Sequence, residues 1–327
     1  MLLIACGMPP ATSASEPGSP SAAAFTADGR STLEQLTSRY QSLSTEHGWK
    51  LETVYQYPGA DAPAIHAWRT GHPGEALWIL AGIHGEEPAG PNAVAERLQS
   101  IVELAASGVP IVVIPLVNPQ AYRNNWRYPN TSERDWRKGG YSVGDAEYLL
   151  PDLATGEGTR ATAPPGTDTR ALTEFVLRLA ESYPPRLVLD LHEDELSTDG
   201  GYIYSQGSRA QDNPVGAEVI RLLRESGIPI RQSGRTRFDE PIIDGVISRD
   251  DKGQPIRDGS IDELLAANEV FQDGKKTRGP AAATVIVVET PAFAGSQFDL
   301  RVAAQAAVIQ HVRELWQLSD PRPGALQ

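Results

Sequence analysis

Four short runs of the chain are almost wholly apolar: 76–81 (ALWILA), 111–117 (IVVIPLV), 187–191 (LVLDL) and 284–288 (TVIVV). Runs of this length without polar alternation read as strands that are covered on both faces. Amphipathic helical patterns lie between them at 88–106, 167–182 and 214–226, and a closing one at 298–316. Pro91 suits the first turn of the first of these helices, and Thr167 or Asp168 suits the cap of the second. Apolar strands alternating with amphipathic helices predict an α/β fold, with a mostly parallel, mixed central sheet and helices on both faces.

Around this frame the pattern is weaker. Residues 30–48 have helical spacing (Leu33, Leu36, Tyr40, Leu43), and 49–57 and 64–70 have strand character, with Pro58-Gly59 marking a turn. Residues 201–206 read as a short strand, and 228–280 as short strands, turns and a small helix near 261–268. Tyr202 and Tyr204 share one face of their strand, where core packing is the simpler role. Residues 119–166 form a long irregular stretch, and such stretches in compact domains are usually functional.

The 327 residues suffice for one catalytic α/β domain, expected over 30–320, with a disordered tether at 1–29 and a disordered tail at 321–327. A formal net charge of −13 argues against a nucleic-acid partner. No stretch is long enough for a transmembrane helix. The single cysteine, Cys6, excludes an intrachain disulfide. Leu3-Ile4-Ala5-Cys6 resembles a bacterial lipoprotein box, followed by a Pro/Ala/Ser/Gly-rich stretch. Two readings stay open: a lipid anchor at Cys6 with a cell-envelope or periplasmic location, or a chance match in a cytoplasmic protein.

The polar residues that close the apolar runs carry the chemistry. His84 follows one run and precedes Gly85, Glu86 and Glu87; His192 ends a second; Glu289 ends a third. In open α/β sheets, ligands collect at the carboxyl ends of the strands. Two His and one Glu as ligands, with a further Glu as base, make a catalytic zinc site. The spacing His-x-x-Glu alone is weak, because it occurs at His72/Glu75, His84/Glu87, His192/Glu195 and His311/Glu314. His72 lies in a Pro/Gly loop, and His311 reads as a solvated helix face. His192/Glu195 is conceivable. His84/Glu87 is better placed, because the strand fixes the imidazole and Gly85 permits a sharp turn that returns Glu87. The run Glu193-Asp194-Glu195 is either a solvated acidic turn or part of an acidic rim around the metal. Asp190, on the opposite strand face from Leu189 and Leu191, is placed to orient a ligand or a backbone turn.

The motif Gly82-Ile83-His84-Gly85-Glu86-Glu87-Pro88-Ala89-Gly90 resembles the first metal motif of the zinc carboxypeptidases. Their relatives include the murein-peptide amidases and the succinylglutamate desuccinylase/aspartoacylase group. Asn118-Pro119 is similar to the Asn-Pro that opens the substrate loop in these families, His192 to their third ligand and Glu289 to their catalytic glutamate. The resemblance spans roughly 76–318 and implies one Zn2+ per chain, held by His84, Glu87 and His192. It also implies a peptide or N-acyl amino acid substrate. Glu289 would be the general base, and an arginine after Asn-Pro would stabilise the oxyanion: Arg127, with Arg123 as runner-up. Asn118, Arg123, Arg137 and Asp145 are the expected substrate contacts. An inactive binding protein on the same fold is the alternative.

One departure stands out. The Asn-Arg pair with which peptide-cleaving members hold a terminal carboxylate is absent, and the stretch 140–148 carries Asp145 and Glu147 instead. Either Arg134, Arg137 or Lys138 takes over that task, or the substrate lacks a free carboxylate there. Charge alone predicts poor trimming of neutral peptides at a free C-terminus, and better activity on substrates with an amino group near the cleaved bond.

Overall fold

The computed structural model describes residues 25–131, 140–207, 209–292 and 297–320. Its strands are β1 (Lys50–Gln56), β2 (Ala64–Arg69), β3 (Ala76–Ala81), β4 (Ile111–Ile114), β5 (Pro185–Asp194), β6 (Tyr202–Gly207), β7 (Ser233–Arg235), β8 (Pro241–Ile243), β9 (Val246–Ile247), β10 (Glu269–Gln272), β11 (Lys275–Arg278) and β12 (Thr284–Pro291). Its helices are α1 (Leu33–Thr45), α2 (Ala89–Glu96), α3 (Leu98–Ala106), α4 (Pro119–Asn124), α5 (Thr167–Ala180), α6 (Pro214–Glu225), α7 (Ile261–Ala266), α8 (Phe298–Gln310) and α9 (Val312–Leu318). Cys6 and the residues up to 24, Arg134, Arg137, Lys138 and the stretch 321–327 lie outside the described residues.

A ten-stranded sheet runs in the order β1-β2-β4-β3-β5-β12-β6-β9-β8-β7, with β10-β11 as a separate hairpin. The centre, β4-β3-β5-β12, is parallel. Antiparallel pairs flank it at β1-β2, β2-β4, β12-β6, β9-β8 and β8-β7 and are slightly the more numerous. The expected mixed sheet is therefore present, with its continuous parallel part at the centre and one further parallel pair at β6-β9.

Strand periodicity explains the continuous apolar runs. Leu77, Ile79, Leu187, Leu189, Ile286 and Val288 enter one core, under α1, α2, α3, α6, α8 and α9. Trp78, Leu80, Val188, Val285 and Val287 enter the other, under α5 and α7. Successive residues alternate between the two faces, so Asp190, His192 and Glu289 follow Val188 and Val287 onto the α5/α7 face.

Several element boundaries move. The helix expected over 88–106 is broken at Arg97, whose φ −111° and ψ 23° leave the helical region. The break separates α2, buried from Ala89 to Ala95, from α3, which buries only Ile101, Leu104 and Ala105. The closing helix breaks likewise at His311, which is half-buried with Nδ1 2.9 Å from the Ala307 carbonyl and not on a solvated face. The cap of α5 is Gly166, while the buried Asp168 carboxylate accepts from the Tyr57 and Tyr141 hydroxyls, each at 2.9 Å. Pro115, without an N–H, ends β4 early. The chain nevertheless stays beside β3, through Val117 N–H to Ala81 O (2.9 Å) and Asn118 N–H to Gly82 O (2.8 Å). Ordered packing begins before residue 30: Phe25 N–H donates to Arg123 O at 2.9 Å. No helix among the described residues is long and apolar enough to cross a membrane.

Candidate metal centre

The turn after β3 is built by close approach. Gly82 holds a left-handed φ of +66°. Gly85 serves differently from the sequence expectation: a Cβ there would stand 2.1 Å from the Ala121 carbonyl carbon, so glycine lets the turn lie against α4. Arg30, buried, ties the same region together. Its Nη1 donates to Gly85 O (2.8 Å) and Tyr122 O (3.1 Å).

Glu87 returns from this turn to stand between two imidazoles. His84 Nδ1 lies 2.8 Å from Glu87 Oε1, and His192 Nδ1 lies 2.9 Å from Glu87 Oε2. The three residues offer ligand atoms all within 4.8 Å of one another, and they make a donor set that could hold a metal ion. Geometry thus selects His84/Glu87 over the His192/Glu195 pair. Burial, and then the nearby Arg127 charge, lower the His84 pKa, which keeps a lone pair available. For Glu87, burial opposes ionisation, but His84 and His192 outweigh it and hold the carboxylate well below its usual range.

The surroundings of His192 fit a ligand. Asp190 is fully buried, and among the described residues its carboxylate has no polar neighbour closer than His192. It faces His192 Nε2 at 3.3 Å. A carboxylate behind the second ring nitrogen is the usual partner of a metal-bound histidine. Gln305 Nε2 donates to both His192 O and Thr290 Oγ1, each at 2.8 Å, fixing β5 and β12 side by side at the site.

Glu289 is directly opposite His192 on β12, and opposite Tyr202 on the other side. Burial pushes its carboxyl pKa well up, and Glu87 and Asp194 add to the rise, while His192 and Arg237 oppose it. Tyr202 packs in the core as expected, against Ile242, Ile247 and Ile256, and its hydroxyl donates to Asp194 Oδ2 at 2.8 Å.

The other expected residues divide. Arg127 reaches the centre but is buried in ion pairs, Nη1 lying 2.7 Å from Glu86 Oε1 and 3.0 Å from Glu87 Oε1. Its buried Nε donates to no atom among the described residues. Asn118 is fully buried and caps α4 by accepting from Ala121 N–H at 3.1 Å, preceding a proline at the first helical position. Arg123, the runner-up for the oxyanion, donates Nη1 to Asp61 O at 2.9 Å. Asp145 turns back to accept from Ser142 N–H at 3.0 Å. Burial, opposed by that bond and reinforced by Glu147, raises its pKa to about 7. Of the two readings of the acidic run, Glu193 and Asp194 do not fit a solvated turn: both are buried. Glu193 accepts from Ala89 N–H at 2.7 Å and pairs with Arg301.

Sequence reasoning missed Arg30, Gln305, Arg301 and Arg237, none of which sits in a recognisable motif. A cavity of about 190 Å3 beside Glu87 is lined by Glu86, Arg127, Glu193, Glu195 and Arg301 among others. A larger hollow, about 650 Å3, touches Gln206, Gly207 and Ala283 at the start of β12, the opposite end from Glu289, and contains none of the centre's residues.

Residues 73–136 match the catalytic domain of the succinylglutamate desuccinylase/aspartoacylase family. Among solved structures, a provisionally assigned metallopeptidase from Shewanella amazonensis is 21% identical, with TM-score 0.66, covering 86% of this chain and 92% of its own. Carboxypeptidase A from Helicoverpa armigera is 13% identical, with TM-score 0.56, covering 89% and 74%. The chain has the metallo-carboxypeptidase fold. A metallo-carboxypeptidase from Burkholderia cenocepacia shares that fold at 12% identity and TM-score 0.52, over 87% and 69%. No curated protein matches in sequence. The metallo-carboxypeptidase fold and the His84-Glu87-His192 cluster together support a hydrolase.

Proposed function

We propose that the protein is a zinc-dependent hydrolase that cleaves an amide bond in a peptide or an N-acyl amino acid. The observation that carries this reading is the convergence of His84 Nδ1, His192 Nδ1 and the Glu87 carboxylate at 2.8–2.9 Å, beside Glu289 on the next strand. The donors fit Zn2+ in kind and number for a catalytic site. When bound, zinc at such a site lowers the pKa of a coordinated water towards ~7 and polarises the substrate carbonyl.

The chain's own residues do the rest. Asp190 holds the His192 proton at Nε2, which turns the Nδ1 lone pair towards the metal. Glu289 takes the proton of the attacking water on a carboxylate oxygen and delivers it to the leaving nitrogen. Its raised pKa suits a group that must hold a proton between those two events. Arg127 stabilises the charge that develops on the carbonyl oxygen, which supplies an acceptor for its buried Nε donor.

The test pairs two variants with the wild type. His84→Ala loses the zinc by elemental analysis, whereas Glu289→Gln keeps it and loses about 10²–10⁴ in kcat on peptide and N-acyl amino acid panels. Full zinc in His84→Ala, or near-wild-type turnover in Glu289→Gln, overturns the reading.

A further inference from the structure

The larger hollow, about 650 Å3, lies at the opposite end of β12 from Glu289 and is of a size that takes a small organic molecule. Its buried wall is small and apolar, with Ala210, Ala282, Ala283 and Ile256. Its charged wall departs from the rest of the chain. The sequence has 42 acids against 29 lysines and arginines. Among the described residues around the hollow, five cations face three acids.

Two of the cations are matched. Arg160 pairs with Glu263, Nη1 to Oε2 at 2.8 Å, and donates Nε to Pro151 O at 3.2 Å. Lys276 Nζ lies 3.2 Å from Glu269 Oε2. The third acid, Asp152, is turned onto its own loop, where Oδ1 accepts from Ala154 N–H (3.1 Å) and Thr155 N–H (2.9 Å). Arg249, Arg257 and Arg278 remain. Arg249 Nη1 donates to Gly253 O at 2.7 Å, across a turn that Asp250 N–H closes on Gln254 O at 2.8 Å. Arg278 stands opposite Glu269 on the β10-β11 hairpin, but that acid is taken by Lys276. Among the described residues, neither Arg257 nor Arg278 has a side-chain hydrogen bond or ion pair.

Three guanidinium groups on one wall repel one another, and no acid of the lining is left to offset them. That excess of positive charge identifies the occupant. Guanidinium forks match carboxylate and phosphate groups with paired hydrogen bonds. We propose that the hollow is a second binding site, which takes a small organic anion with two or more acidic groups on an apolar body. The acidic groups meet Arg249, Arg257 and Arg278, while the body lies against the alanines and Ile256. Burying that body adds an apolar contribution that an inorganic ion lacks. None of His84, Glu87, His192 and Glu289 lines the hollow. The occupant is therefore a ligand separate from the hydrolysed substrate, and the site does not depend on the hydrolase reading.

Benzene-1,3,5-tricarboxylate is the probe, with binding measured by calorimetry. Benzoate, with one charge, and benzene-1,3,5-trimethanol, with none, are its controls. Wild type is expected to bind the tricarboxylate about tenfold or more tighter than benzoate, and the triol not at all. Added salt weakens the binding. In the double variant Arg257→Gln/Arg278→Gln, affinity for the tricarboxylate falls about tenfold or more. Both side chains are exposed, so the far-ultraviolet dichroism and zinc content stay as in wild type. Carboxylates also bind zinc, and His84→Ala is the control for location: it keeps the wild-type affinity for the tricarboxylate. Absence of binding by wild type, equal affinity for tricarboxylate and benzoate, an unchanged affinity in the double variant, or loss of binding in His84→Ala overturns the site.

Discussion

His192 divides its ring between two tasks, Nδ1 towards Glu87 and Nε2 towards Asp190. Burial alone would lower its pKa, but the Asp190 and Glu87 charges outweigh burial and raise it well above the usual histidine range. Asp190 is the less usual member: a fully buried carboxylate is costly unless a charge nearby compensates it. Replacing one carboxylate oxygen by an amide removes that charge and lets the imidazole choose the wrong tautomer. Asp190→Asn is therefore expected to weaken zinc affinity about 10–100-fold, measured by competition with a chromogenic chelator, with the far-ultraviolet dichroism unchanged. An unchanged affinity would assign Asp190 to packing alone. The three candidate donors were readable from sequence because His84 and His192 close apolar runs and Glu87 follows His84 at a spacing that lets it return to the same point. Arg30, Gln305 and Arg237 were not, because each meets the site across the fold from a segment with no motif, Gln305 bonding His192 over 113 positions.

At the scale of elements, the parallel strands β3, β5 and β12 were legible because burial on both faces leaves an uninterrupted apolar run. What misled was the charge run that follows β5. Glu193, Asp194 and Glu195 look like a solvated turn, but β5 continues to Asp194 and carries two of these acids into the interior. The compensation comes from α8: Arg301 pairs with Glu193, whose other oxygen accepts from Ala89 N–H at the start of α2. One carboxylate thus joins β5, α2 and α8 next to His192. The broken helix at Arg97 was invisible for a related reason, since the register of apolar residues is kept while the buried face changes. Arg301→Ala leaves Glu193 buried without its counter-charge. Breaking a buried pair in this way costs about 3–5 kcal/mol, read from the urea midpoint at neutral pH. A loss under about 1 kcal/mol would place the pair with solvent-exposed bridges instead.

For the whole molecule, a formal net charge of −13 on 327 residues makes stability sensitive to how its acids are paired. Most carboxylates on the surface are expected to favour folding at neutral pH or to be indifferent. Asp145 does the opposite. Burial raises its pKa to about 7 in the folded chain, with Glu147, Asp258 and Asp168 adding to the rise and the Ser142 N–H opposing it. An unfolded aspartate titrates near ~3.9. Between those values the unfolded chain has released a proton that the folded chain still holds, so the unfolded state binds fewer protons. Stability therefore falls as pH rises from about 4 to about 7, and the loss from this group is complete above about 7. Asp145→Asn cannot ionise, and its side-chain oxygen can still accept from Ser142 N–H. The variant is expected to gain on wild type by an amount on the order of 2 kcal/mol between pH ~4.5 and pH ~8, after a discount for partial exposure. Other buried acids, Glu289 and Asp262 among them, titrate in both proteins, so the quantity to follow is the difference between the two urea midpoints at each pH. A difference that stays constant across that range would show that Asp145 is ionised in the folded chain and remains free to meet a cationic substrate.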